Sequence, residues 1–227
     1  MGYWVIREYS NSYNRVKRGK QMININDFQK NYINHYLLLE KDFEETKPYL
    51  TIAEDNYGAY SNTYMKLLLA IGSEIDVMLE VVAKEYDSNS NEEGFGYSKI
   101  ILKHEPNMKS TEILLRDEGI TVRPWECKTI PTWWTIYNEV KHNRNKTDRT
   151  TKPPKKYYQL ANQKNVLYAL AALYSLEMYG YRIIAANSGE KMFVPVIKSM
   201  FSIRNLYWAD ITMGNGVVVI DGNMYMA

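Results

Sequence analysis

Apolar side chains recur every three or four residues through most of this chain, and that spacing marks helices. Phe28, Tyr32, Tyr36, Leu39 and Phe43 form one stripe, predicting a helix over about 27–47. Asn26 is its expected N-cap, Gln29 completes a capping box, and Pro48 stops it. Tyr64, Leu67, Leu68, Ile71, Ile75, Met78, Leu79 and Val82 predict a second helix over 61–85, capped by Ser61. Gly72 in its middle costs stability relative to alanine, which points to the close approach of a neighbouring helix. Pro131, whose φ suits a first helical position, starts a third over 131–145. Leu160, Val166, Leu167, Leu170, Leu173, Tyr174, Tyr181 and Ile184 line a fourth over 158–186. Ala161, Ala169, Ala171 and Ala172 leave it room for tight packing, and Asn187-Ser188-Gly189 ends it.

The pattern changes in two places. Within residues 87–130, an Asn-, Ser- and Gly-rich loop over 88–96 precedes three strand-length apolar runs, at 100–102, Ile113–Leu115 and Ile120–Val122. Arg116-Asp117-Glu118-Gly119 supplies a hairpin turn between the last two. After the fourth helix, Asn215-Gly216 and Asp221-Gly222 separate runs at 206–213, 217–220 and 223–227, predicting a three-stranded meander. The first 24 residues are basic and Asn-rich, with a strand-length run at 3–9. The expected architecture is mainly α: one domain over 1–227, a four-helix bundle with a β insertion at about 97–125 and a β-rich tail at about 206–227.

Composition narrows the class without choosing the chemistry. A content of 45% hydrophobic and 24% charged residues is that of a soluble globular protein. Twenty tyrosines against five phenylalanines point to wide amphipathic faces with buried rings and polar-tipped hydroxyls; a set of stacking platforms for bases is the sharper reading. A net charge of +2 is too small to argue for nucleic acid by itself. Cys127 is alone, so no intrachain disulfide forms and a reducing cytoplasm is the expected home. No run has the length of a signal peptide or a membrane span, so no membrane association is expected. His35, His104, His142 and Cys127 do not fall at metal-ligand spacings, and no metal is expected. His35, beside the first helix's stripe, reads as a satisfied, partly buried side chain. Cys127 lacks the surroundings of a nucleophile, and Gly94-Phe95-Gly96 is too short for a phosphate loop.

One stretch looks chemical. From Pro131 to Arg144 the third helix carries Trp134, Asn138 and His142 four residues apart on one stripe, with Lys141 beside it. An amide, an imidazole and cations on one turn suit a phosphate anion; the plainer alternative makes Trp133 and Trp134 core and the rest a solvated basic helix end. Glu74 and Asp76 flank the apolar face of the second helix, as a solvated edge or as the carboxylates that orient His142 or pair with Lys141. Residues 141–156 then form a basic arm with seven Lys or Arg residues against one Asp: Lys141, Arg144, Lys146, Arg149, Lys152, Lys155 and Lys156. Pro153-Pro154 is expected to keep it extended, as a linker or as a surface for RNA phosphates.

The octet Tyr137-Asn138-Glu139-Val140-Lys141-His142-Asn143-Arg144 resembles the helical motif of the HEPN superfamily, RNase and nucleotide-binding modules of prokaryotic toxin–antitoxin and phage-defence systems. Asn138 and His142 match its polar residue and its histidine. Tyr137 stands where the family carries the arginine that contacts the scissile phosphate. The resemblance implies a homodimer with two motif helices facing each other in one composite site. There His142 would act as general acid and base, Asn138 would hydrogen-bond the phosphate, and Lys141 with Arg144 would stabilise developing charge. Such chemistry needs neither metal nor cofactor. The resemblance also implies RNA or a nucleotide as ligand, and an antitoxin or other protein as possible partner. The alternative is a non-catalytic helical module that binds RNA, a nucleotide or a protein.

Overall fold

A computed structural model describes residues 23–188 and 197–204 in full, and the backbones of 212–214, 217–220 and 223–226. The run at 3–9 lies outside the described residues. The chain is mainly helical, with a few small antiparallel strands.

The first helical stretch comprises α1 (Ile25–Phe28), a π-helical turn (Gln29–Ile33) and α2 (Asn34–Glu44). Its N-cap is Asn24, not Asn26: Asn24 Oδ1 accepts from the Asp27 amide at 2.9 Å. The expected box is thus displaced by two residues, with Asp27 standing where a Glu or Gln was sought. In the π-turn the Asn34 amide reaches back five residues to the Gln29 carbonyl. α3 (Asn62–Tyr86) is capped by the Ser61 hydroxyl as expected. α4 (Tyr97–His104) contains the run at 100–102, which is therefore helix rather than strand. Its Tyr97, Ser98 and Ile101 are buried and α4 packs on α3, so a helical face, not a pleat, covers this run. Three apolar residues are too few for periodicity to separate the two states.

β1 (Ile113–Leu115) and β2 (Ile120–Val122) form the expected hairpin, pairing Ile113 with Val122 and Leu115 with Ile120. Gly119 takes φ +67° in its turn. α5 (Thr132–Asn143) starts one residue after Pro131, which has an extended ψ of 144° and accepts from the Trp134 and Thr135 amides through its carbonyl. The basic arm is not extended. It folds back as β3 (Thr147–Asp148) against β4 (Lys155–Lys156), pairing Thr147 with Lys156 and Asp148 with Lys155.

The expected fourth helix is broken in two. α6 (Tyr157–Leu160) ends at Ala161, and Asn162 caps α7 (Gln163–Asn187), accepting from the Asn165 amide at 3.0 Å. The break is held from outside: the Gln163 amide donates to Ala59 and its side chain to the Thr51 carbonyl, at 2.9 and 3.0 Å. β5 (Phe201–Ile203), unforeseen, adds to β1 as a third strand. Buried Glu40 positions it, accepting from Tyr36, from the Ser199 hydroxyl at 2.5 Å and from the Met200 amide at 3.0 Å. Burial pushes the Glu40 carboxyl up, against those hydrogen bonds. The C-terminal meander is present as β6 (Thr212–Gly214), β7 (Val217–Ile220) and β8 (Asn223–Met226); residues 206–211 of the expected first run lie outside the described residues.

The core sits between α3 and α7, which pack along each other, with α2 and α5 against both. Gly72 of α3 lies directly under Tyr137 of α5, and a Cβ there would run into the aromatic ring. Here the close approach inferred from Gly72 takes place.

Candidate functional site

α5 is built as an anchor that runs out into solvent. Trp133 and Trp134 are buried, and the Trp133 indole donates to the Pro124 carbonyl at 2.7 Å. Trp125 stands edge-on to Trp133 and donates to the Ser175 hydroxyl at 2.8 Å, tying the start of α5 to α7. Tyr137 is 2% exposed and lies 5.1 Å from Trp134, ring to ring. The position at which the family motif carries arginine is therefore core, filled by an aromatic ring over Gly72. One turn later the helix surfaces: Asn138 is half-buried, and Lys141, His142 and Arg144 are exposed.

The side chains at this end do not converge within one chain. Asn138 turns its amide back to the Trp134 carbonyl, donating at 3.0 Å. Lys141 folds over Tyr137, its ammonium 5.4 Å from the ring centre and donating to the hydroxyl at 3.3 Å. Glu74 is not a partner of His142 or Lys141. It is nearly buried, and its Oε2 accepts from His35 Nδ1 at 3.0 Å. Asp76 is half-buried near Gly94, its Oδ1 3.6 Å from where a Cβ on that glycine would lie. Neither carboxylate is engaged with His142 among the described contacts.

The hairpin beyond α5 has a different character. Backbone bonds fix its base: the Tyr157 amide donates to the Lys146 carbonyl at 3.0 Å and the Tyr158 amide to the Arg144 carbonyl at 3.1 Å. Its one acid, Asp148, accepts from the amide and hydroxyl of Thr150, both at 2.7 Å. Arg144, Lys146, Arg149, Lys152 and Lys156 are exposed and Lys155 half-buried. None of these, nor Lys141, makes an ion pair among the described residues. Elsewhere Lys41, Lys47, Lys66, Lys84, Lys99, Arg123 and Arg182 are all paired with carboxylates. Unpaired cations occur elsewhere too, Lys30, Lys103, Lys109 and Lys128 among them, but the hairpin and the end of α5 gather seven within sixteen residues.

A second group of titratable side chains lies beneath the π-turn, and the periodicity gave no sign of it. Glu177 of α7 is fully buried, and neither carboxyl oxygen has a hydrogen-bond partner. Burial, reinforced by Glu74, pushes its carboxyl well above the usual range and favours the protonated form. Tyr32, on the π-turn, is raised by burial and then by Glu74 and Glu177. π-turns often mark functional positions, and a buried acid beside a histidine–carboxylate pair is equipped to hold a proton. No substrate reaches Glu177, because the core encloses it completely. Cys127 is a free thiol that burial pushes up, against an opposing pull from Lys109, so it is poorly disposed to attack.

No family model matches this chain, and neither a curated protein nor a solved structure is similar to it.

Proposed function

We propose that this chain is an RNA-binding helical module that holds phosphates on the β3–β4 hairpin and the exposed end of α5. The observation that carries the reading is the set of seven cations over 141–156, none paired with a carboxylate among the described residues. They stand on a backbone fixed to α6, so they are presented together and not on a loose linker. Point charges on a small rigid hairpin contact a flexible phosphate chain with no need for base readout. A reducing cytoplasm, where the free thiol of Cys127 persists and RNA is abundant, is the setting we assign.

Cleavage is the second reading, favoured by one observation: His142 is exposed, beside Lys141, on the helix that resembles the HEPN motif. Among the described residues of one chain there is neither a carboxylate bonded to this imidazole nor a free Asn138 amide. The reaction therefore needs a homodimer in a HEPN-like bundle, with two His142 side chains meeting and Asn138 rotated away from Trp134.

Binding is tested by the affinity for a fluorescent single-stranded RNA at physiological salt, for the natural chain and for Lys152→Ala/Lys155→Ala/Lys156→Ala. The variant should bind at least about tenfold more weakly, since removing phosphate contacts acts steeply on affinity. Equal affinities would overturn the assignment. Cleavage of the same RNA in EDTA, lost in His142→Ala, would establish the second reading. A chain that binds without cleaving, and stays monomeric by light scattering at tens of micromolar, would leave binding alone.

A further inference from the structure

A cleft of about 400 Å³ opens where the end of α2 meets the start of α3, and it is large enough for a nucleoside. Its rim carries Tyr49, which is 89% exposed, and Tyr60, which is 46% exposed. A tyrosine left this open contributes almost nothing to the core. On its open lining, the largely exposed Lys66 ammonium sits 3.3 Å from Asp42 Oδ2, with Glu45 also on the lining. Glu45 has only a long contact of 3.9 Å to Lys41, and its side chain is 66% exposed.

Tyr60 joins the cleft to the hairpin. Its ring packs edge-on against Tyr158 at 5.9 Å, and its hydroxyl accepts from Gln159 Nε2 at 3.2 Å. The Gln159 side-chain oxygen in turn accepts from the Lys156 amide at 2.8 Å. The rim of the cleft and the second strand of the hairpin are thus tied together through Tyr60 and Gln159.

We propose that this cleft takes a guanine base of the single-stranded RNA held by the hairpin. The inference rests on the RNA-binding reading given above. Tyrosine faces stack on any base, so the choice of base falls to the polar lining. Guanine presents one acceptor, O6, beside the donors N1–H and N2–H₂. Lys66 supplies a donor for O6, and the carboxylates of Asp42 and Glu45 supply acceptors for the two donors. The same carboxylates repel phosphate, which keeps the backbone outside on the hairpin.

Fluorescence anisotropy with three RNA heptamers tests this: seven uridines, and the same with a central guanosine or a central inosine, which lacks the N2 amine. The guanosine heptamer should bind roughly tenfold more tightly than the uridine heptamer, with inosine between them. Tyr49→Ala should weaken it by roughly 5- to 100-fold, the range of a lost stacking contact. It should still fold, because the residue is almost wholly exposed. Glu45→Gln should remove the difference between guanosine and inosine. Salt-sensitive binding of all three heptamers with equal affinity, unchanged in Tyr49→Ala, would overturn the cleft and leave the hairpin standing. No binding to any heptamer would overturn both. Displacement by GMP as effective as by the guanosine heptamer would make the cleft a free-nucleotide site and overturn its assignment to RNA.

Discussion

Two of the three histidines on helices, His35 and His142, sit in opposite circumstances. His35 has what a catalytic imidazole is usually given: a carboxylate partner at 3.0 Å, a neighbouring tyrosine on a π-turn, and a buried acid whose carboxyl is pushed up by burial and by that same partner carboxylate. Yet Glu177 at the back of that group is sealed in the core. His142 has the reverse: it is exposed, next to Lys141 in sequence, and no carboxylate bonds to it among the described residues. Organised proton chemistry and access to an anion belong to different histidines. The accessible group is therefore better equipped to bind than to react. The buried group is better explained by packing and protonation than by turnover.

The largest expected effect comes from making the His142 helix match the motif it resembles more closely. Tyr137→Arg restores the arginine but buries an unpaired charge over Gly72, and should destabilise the chain by about 3–5 kcal/mol in denaturant unfolding. A stable variant that gains RNA cleavage would show instead that this position belongs to the site and not to the core.

Next in size is Glu177. The folded chain keeps its proton at a pH where the unfolded chain has released it, because burial holds the folded carboxyl well above its ordinary 4.5. Stability contributed by the neutral form is complete below that ordinary value and is lost as pH rises through the folded one, at about 1.4 kcal/mol per pH unit between the two. Glu177→Met should remove this alkaline loss and gain on the order of 1–3 kcal/mol at pH 7, since a buried group without hydrogen bonds is replaced by an apolar one. Equal slopes for the two chains between pH 5 and 8 would mean that Glu177 has a partner or a charge in solution. Gain of stability with loss of an RNA-dependent activity would tie the buried group to function.

The smallest effect should be that of Tyr137→Phe, which removes only the acceptor for Lys141 at 3.3 Å. A cost of about 0.5–1.5 kcal/mol and unchanged RNA affinity are expected. A large loss of affinity would place the Tyr137 hydroxyl among the RNA contacts.

How much of this was legible in the sequence depended on whether a feature is local. The helix over Asn62–Tyr86, its Ser61 cap, the meaning of Gly72 and the Ile113–Val122 hairpin all follow from residues close in sequence, and they stand as expected. The break at Asn162 and the strand Phe201–Ile203 depend on partners about a hundred residues away in Ala59, Thr51 and Ile113, and no periodicity carries that information. The arm was legible as charge but not as shape, because two prolines read as extended chain while the Thr147–Lys156 pairing closes a hairpin. Glu177 was hidden among apolar neighbours on α7, where one glutamate looks like the solvated side of a helix. Glu74 was noticed, but its partner proved to be the histidine at 35 and not the one at 142.

The central claim, that the hairpin over 141–156 binds RNA through its phosphates, is tested most directly by affinity for a single-stranded RNA measured across salt concentration. With about five of the seven cations engaged, log affinity should fall against log salt with a slope near −3.5, and Lys152→Ala/Lys155→Ala/Lys156→Ala should flatten it by about 2. A flat response in the natural chain, or one that the triple variant leaves unchanged, would contradict the account.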